Sequence, residues 1–328
     1  MSLAQRFPLG FPELLHDSRG MISKILLVIF PLTSTFAYAN TDGSVHKIRV
    51  SKDIAAQTEF EPSGLIYLAK QNKYLVVSDD TDREKTPLLF VMSDDGDVSS
   101  TLTIPGLDTM TDMESISRDG EDIYVMSSLV PSKSGKYKES QNLLVRFELN
   151  GMQIRNVVSV NFGDLLRSAL ESSSDPALKD LIIEGIDELE VEGHAVKNKV
   201  LFVAIKGPVL AGGQSVVLKI TNFESVLANE QKPKLQVFAI IDFKSLGRNN
   251  QKISDITFVN EDMYLTTAHA GKRAGGVWKL ASGASKPQLL KYYEHAQPEG
   301  ITLNSSTQNL MVTFDQGKET GLFSKLKP

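Results

Sequence analysis

The sequence predicts an all-β chain, a five-bladed β-propeller. Three observations carry this. A two-strand unit recurs five times, an acidic residue opens each copy, and no helix stands regularly between copies. EPSGLIYL (61–68) precedes KYLVVSDD (73–80), MESISRDG (113–120) precedes DIYVMSS (122–128), and VEGHAVKN (191–198) precedes KVLFVAIKG (199–207). SDITFVNE (254–261) precedes DMYLTTAH (262–269), and PEGITLNS (298–305) precedes NLMVTFDQ (309–316). Period-2 alternation bounded by Asn, Asp, Gly and Lys is the signature of antiparallel hairpins.

Further strands complete each unit. PLLFVMS (87–93) and DVSSTLTI (97–104) extend the first, and NLLVRFEL (142–149) and QIRNVVSV (153–160) the second. SVVLKI (215–220) and KLQVFAII (234–241) extend the third, and GGVWKL (275–280) and PQLLKYY (287–293) the fourth. The fifth has only GLFSKL (321–326). Its missing outer strand is expected from the other end, where VHKIRVS (45–51) alternates, so that the ring closes and the edge strands are paired. A six-bladed ring and a sandwich of irregular hairpins are the alternatives. The segment 162–181 has helical character and is expected on one face of the disc.

With 328 residues, 41% hydrophobic and 23% charged, the chain has the composition of a globular domain. Residues 45–328 are expected to form one propeller domain, and 1–39 a leader. From Met21 to Ala39 a lysine-bearing start, a short apolar run and a small-x-small end match a secretory signal peptide. The apolar run is short for a membrane span. The protein is therefore expected to be exported, periplasmic or extracellular, with no membrane span once processed. The net charge of −5 excludes a basic nucleic-acid surface, and the absence of Cys excludes disulfides and thiolate metal sites. No Gly-x-Ser-x-Gly elbow, His-Glu-x-x-His helix or phosphate-binding glycine loop occurs. SDDGDV (93–98) is too short for a calcium loop and reads as a hairpin turn.

In a propeller the first strand of each blade lines the central channel and the second runs back beside it. Glu61, Glu114, Glu192, Asp255 and Glu299 should thus ring one mouth of the channel, with Asp79, Ser128, Lys206, Ala268 and Asp315 near the same mouth. Crowded carboxylates need compensation. A hard cation such as Ca²⁺, the Lys206 ammonium, or backbone N–H groups of adjacent blades could each supply it. A residue repeated in every blade is also a natural latch between neighbours. Lys206, His194 and His269 occur in one blade each and are the candidate catalytic groups: Lys206 to stabilise developing negative charge, and either histidine to move a proton.

EGHAVKNKVLFVAIKGPVL (192–210) resembles the hallmark blade of a bacterial propeller family of unknown function, which shows Ile-Glu-Gly-Leu-Ala, a strand and then Gly-Pro-Val-Leu. The chain carries His194 where that family often has Leu. EPSGL (61–65) and QPEGITL (297–303) resemble the wider group of phytase-like and esterase-like propellers. The resemblance implies a propeller in an exported context, with calcium and phosphoester chemistry among relatives. The resemblance supplies no activity; the acidic channel mouth expected from the strand geometry gives two functions: a metal-assisted hydrolase of esters or phosphoesters, or a non-catalytic module binding a ligand or protein through loops 131–141, 206–215 and 269–276.

Overall fold

The computed structural model describes residues 42–328, apart from 80, 82–85, 132–134 and 318–320 and the side chains of 180 and 182–184. The leader and signal segment lie outside the described residues. The chain opens with β1 (Asp42–Lys47), β2 (Arg49–Val50) and the short helix α1 (Lys52–Ala55). Blade 1 is β3 (Pro62–Leu68), β4 (Lys73–Ser78), β5 (Leu88–Met92) and β6 (Asp97–Thr103). Blade 2 is β7 (Met113–Asp119), β8 (Asp122–Ser127), β9 (Leu143–Asn150) and β10 (Gln153–Asn161). Helices α2 (Phe162–Glu171) and α3 (Pro176–Gly185) follow. Blade 3 is β11 (Glu190–Lys197), β12 (Val200–Leu210), β13 (Gln214–Ile220), helix α4 (Phe223–Leu227) and β14 (Leu235–Ile241). Blade 4 is β15 (Gln251–Val259), β16 (Asp262–His269), β17 (Gly275–Leu280) and β18 (Gln288–Tyr293). Blade 5 is β19 (Gln297–Asn304), β20 (Asn309–Asp315) and β21 (Leu322–Leu326).

Each blade is its own sheet, so the protein is a five-bladed β-propeller. The N-terminal strand closes the ring: β1 pairs antiparallel with β21 as the outer strand of blade 5. One residue further, β2 pairs parallel with β6 of blade 1. Ile48 lies between the two and is fully buried. The segment 42–50 therefore ties the last blade to the first through both hydrogen-bond ladders.

Alternation explains the packing. Each sheet buries both faces against its neighbours, and the cores are apolar layers between blades. Tyr124, Leu201, Val216 and Val203 join blades 2 and 3. Ile66, Leu75, Ile116 and Val125 join blades 1 and 2. The helical insertion extends the former layer: α2 and α3 bury Phe162, Leu166, Leu170, Leu178 and Leu181 there. Asn161 caps α2 by accepting from Asp164 N (3.3 Å), and Asp175 caps α3 by accepting from Ala177 N (2.9 Å) ahead of Pro176. Among the described residues, no helix is long and apolar enough to cross a membrane.

The expected loop 206–215 differs in the structure. Strand β12 continues to Leu210, which is buried and pairs with Gln214, and only Ala211, Gly212 and Gly213, the two glycines at positive φ, make the turn. Val209 and Leu210 prolong the apolar pattern of β12, so the strand outlasts the glycine and proline that suggested a loop.

Candidate functional site

Every inner strand carries a β-bulge at the same place. The ladder skips between Pro62 and Leu65, Met113 and Ser115, Val191 and Gly193, Ile253 and Asp255, and Pro298 and Ile301. Aligned on the bulge, the equivalent residues are Ser63, Glu114, Glu192, Ser254 and Glu299. The next position holds Gly64, Ser115, Gly193, Asp255 and Gly300. Three of the five expected carboxylates, Glu114, Glu192 and Glu299, thus occupy equivalent places, whereas Glu61 stands two residues ahead and Asp255 one behind.

That single step sends Asp255 elsewhere. Its carboxyl is buried and accepts from Ile256 N (2.8 Å) and from Ile301 N of blade 5 (2.9 Å). Burial raises its pKa well above the usual range, against the two N–H groups. It is a latch across the seam between blades 4 and 5. The same position closes the other seams. A β-carbon on Gly64 would stand 2.8 Å from the backbone of Ser115 and Ile116, and one on Gly193 would stand 2.7 Å from Asp255 Cα. Only glycine permits this approach.

His194 also belongs to a seam. It is fully buried, and its Nδ1 hydrogen-bonds the Ser115 hydroxyl of blade 2. Burial lowers its pKa to about 3, so the ring is neutral at physiological pH. Its register equivalents are Leu65, Ile116, Ile256 and Ile301. The proton-moving role expected of His194 does not suit this place: the imidazole joins two blades within the packed wall. His269, at the end of β16, is partly exposed, with a buried Nδ1 that has no partner. Its strand neighbour across the ladder is Gln251. It is not among the groups that act on Glu114 or Glu299.

The structure does gather a cluster around Lys206. The ammonium contacts Glu192 Oε1 and lies 3.2 Å from Glu190 Oε1. Burial alone would depress Lys206, but Glu190, Glu299 and Glu114 overcome it and hold the ammonium charged. Glu299 accepts from Gln297 Nε2 (2.5 Å). Burial pushes its pKa up to about 7; Lys206 and Gln297 oppose the rise, and Asp315 and Glu190 add to it. Burial likewise raises Glu114 well above its usual range, with Asp79 the next contributor, Lys206 opposing, and Glu299 and Asp112 adding. Asp79 and Asp315, expected at this mouth, therefore stand close enough to act on the cluster. Glu61 pairs backbone to backbone with Asp79 through Asp79 N (3.2 Å).

Glu192 is the most telling member. It is only 6% exposed, and its Oε2 is buried with no hydrogen-bond partner, although Oε1 is held by Lys206. Glu190, Asp112 and Gln297 were not singled out from the sequence. The signal was the spacing: each lies two residues before a bulge residue, Glu190 and Gln297 at the starts of β11 and β19 and Asp112, at positive φ, just ahead of β7. Glu190-x-Glu192, Asp112-x-Glu114 and Gln297-x-Glu299 repeat this pattern.

The residues do not fit a calcium site as arranged. Ca²⁺ needs six to eight converging oxygens. Among the described residues, no group of three or more His, Asp or Glu is placed to hold a metal ion. Lys206 already holds Glu192, one of the expected cation ligands, together with Glu190.

Comparison with known proteins gives one partial family match and distant structural likenesses. A family model described as "Protein of unknown function (DUF3616)" matches residues 136–265, from the middle of blade 2 through the insertion and blade 3 into blade 4. No curated protein matches the chain. Among solved structures, Myxococcus xanthus glutaminyl cyclase is similar at 12% identity, covering 86% of this chain and 95% of that one with a TM-score of 0.45. The PQQ-bound aldose sugar dehydrogenase of Streptomyces coelicolor is similar at 13% identity, covering 87% and 98% with a TM-score of 0.43.

Proposed function

We propose that this is an exported propeller that binds a small ligand at its polar channel mouth, and that the ligand presents an ammonium or a comparable positively charged donor. The observation that carries the reading is Glu192 Oε2, a buried carboxylate oxygen without a partner beside a lysine that already holds its twin. A buried acceptor left unpaired is costly, and a donor from a ligand would satisfy it. The charge balance supports the same class. Glu190 and Glu192 share one ammonium, so the cluster keeps a net negative charge, and a phosphoester would meet net repulsion and an amine net attraction. Export rests on the sequence pattern of 21–39.

Calorimetric titration with putrescine, Ca²⁺ and inorganic phosphate tests this. Putrescine is expected to bind saturably, and Glu192→Gln to weaken it about 10-fold. Binding of phosphate or Ca²⁺ in preference to the amine would overturn the reading, as would amine affinity unchanged in Glu192→Gln.

Ester hydrolysis is a second reading, favoured by Glu299. A carboxyl with a pKa near 7 next to a lysine suits general acid–base catalysis at neutral pH. Turnover of a p-nitrophenyl ester panel that is lost in Glu299→Gln and retained in His194→Ala would support it. Equal turnover in wild type and Glu299→Gln would remove it.

A further inference from the structure

A second site lies away from the channel mouth, between blades 3 and 4. A cavity of about 600 Å³ is lined there by Phe202, Phe238, Phe258, Met263, Leu280 and Lys219 among others. That volume falls in the range of small-molecule pockets, which combine apolar and aromatic walls with a few polar groups.

The wall is built by a specific device. In β14, Val237 pairs with Leu218 and Ala239 with Val217, so Phe238 is an extra residue without a ladder partner. Such a bulge re-aims a side chain. Phe238 turns over the cavity, 4.9 Å from the Phe202 ring at 76° and 6.1 Å from Phe258 at 68°, and Phe202 stands 4.7 Å from Phe258. The three rings join two blades, Phe238 meeting the other two edge to face and Phe202 tilted at 54° to Phe258. Yet Phe238 remains 41% exposed, and Ile240, on the same strand, 38%. These are two of the three large hydrophobic side chains most open to solvent among the described residues. Their exposure coincides with the cavity.

The charges at the cavity are not balanced. Lys197 is neutralised: its Nζ donates to Asn260 O (2.5 Å) and lies 2.8 Å from Glu261 Oε1. Lys219 forms no ion pair among the described residues. Its ladder partner on β12 is Phe202, and directly paired residues share a face of the sheet, so its ammonium stands beside the aromatic wall.

We infer that this cavity is a binding site for an amphipathic carboxylate, its apolar tail against Phe202, Phe238 and Phe258 and its anionic head on Lys219. The aromatic wall sets the tail, and the unpaired ammonium sets the sign of the head. The inference stands apart from the channel mouth and uses none of its residues.

The test is displacement of the fluorescent probe 8-anilinonaphthalene-1-sulfonate by decanoate and by decanol, with circular dichroism confirming each variant's fold. Decanoate is expected to displace the probe saturably with one site per chain, about 10-fold more tightly than decanol. Lys219→Met should reduce decanoate to the affinity of decanol and leave decanol unchanged. Phe238→Ala, at a position already 41% exposed, should fold and weaken both ligands. Non-saturable displacement, or decanoate affinity unchanged in either variant, would overturn the inference. So would sedimentation showing a dimer that Phe238→Ala dissociates, since the occupant would then be a second copy of the chain.

Discussion

One residue of register separates two rings in this propeller, and they do different work. The bulge position, Ser63, Glu114, Glu192, Ser254 and Glu299, supplies carboxylates to the cluster around Lys206 in blades 2, 3 and 5. The position after it, Gly64, Ser115, Gly193, Asp255 and Gly300, closes the seams between blades. Glycine does this by letting backbones touch, and Ser115 and Asp255 do it by hydrogen bonds to His194 and to Ile301 N. A carboxylate at the mouth meets Lys206 and like charges; a carboxylate one step later meets backbone N–H groups. The comparison teaches that a recurring acidic residue in a repeat fold is not one feature. Its role follows from which side of the bulge it occupies.

The sharpest way to break this division is at Asp255. If it is a latch, Asp255→Ala strands two buried N–H groups and should lower unfolding free energy by about 4 kcal/mol in urea titration. A loss below about 1 kcal/mol would put Asp255 with the mouth instead. Next comes Lys206→Met, which leaves Glu190 and Glu192 without their counterion. A cost of about 3 kcal/mol is expected at pH 8, shrinking toward pH 5 as Glu299, with its pKa raised to about 7 by burial, takes up a proton and stops adding to the uncompensated charge. The lysine's own pKa is raised, so its contribution is complete throughout that window, and the pH dependence belongs to the glutamates. A cost independent of pH would mean that Lys206 acts by packing alone.

The ring and its closure were legible in the sequence because both rest on strand alternation and turn residues. The expected strand 45–51 does complete blade 5, although β1 carries that pairing while β2 crosses to blade 1. The mouth was legible only in part. Glu-Gly at 192–193 and 299–300 marks the bulge and the close approach behind it, but Glu61-Pro62-Ser63-Gly64 places its acidic residue two positions early. Ser254-Asp255 lacks the glycine that would have fixed the register. Bulges shift side chains by one residue without changing the apolar pattern, so hydropathy alone cannot locate them. His194 drew notice for being unique to its blade. Its uniqueness reflects a different solution for one seam, with Ser115 and an imidazole in place of a glycine.

Glu299 sharpens the comparison from the side of the mouth. Its pKa stands at about 7 in the folded protein against an ordinary 4.5. A raised carboxyl pKa means that the fold holds the neutral form more easily than the unfolded chain does. The associated stability is complete below about pH 4.5 and is lost as pH rises through 7. Glu299→Gln removes that loss. Thermal unfolding should show wild type and variant alike at pH 4 and the variant more stable by about 3 kcal/mol at pH 8. Equal stability at both pH values would mean that the carboxyl is not confined among the other acids.

The smallest effect lies with the two serines that replace glutamate at the bulge. Ser254 is buried and donates to Pro298 O of blade 5 at 2.6 Å, whereas Ser63 reaches only Glu61 O of its own strand, at 3.4 Å. Ser254→Ala should therefore cost about 1 kcal/mol and Ser63→Ala less than about 0.5 kcal/mol in chemical denaturation. The order matters more than the values. In blade 4 the bulge serine and the latch aspartate both reach blade 5, so neither position is available to the mouth there. In blade 1 the corresponding serine is nearly idle and Gly64 closes the seam. Equal costs at the two serines would mean that the bulge position is uniform across these blades and that the seam at blade 4 depends on Asp255 alone.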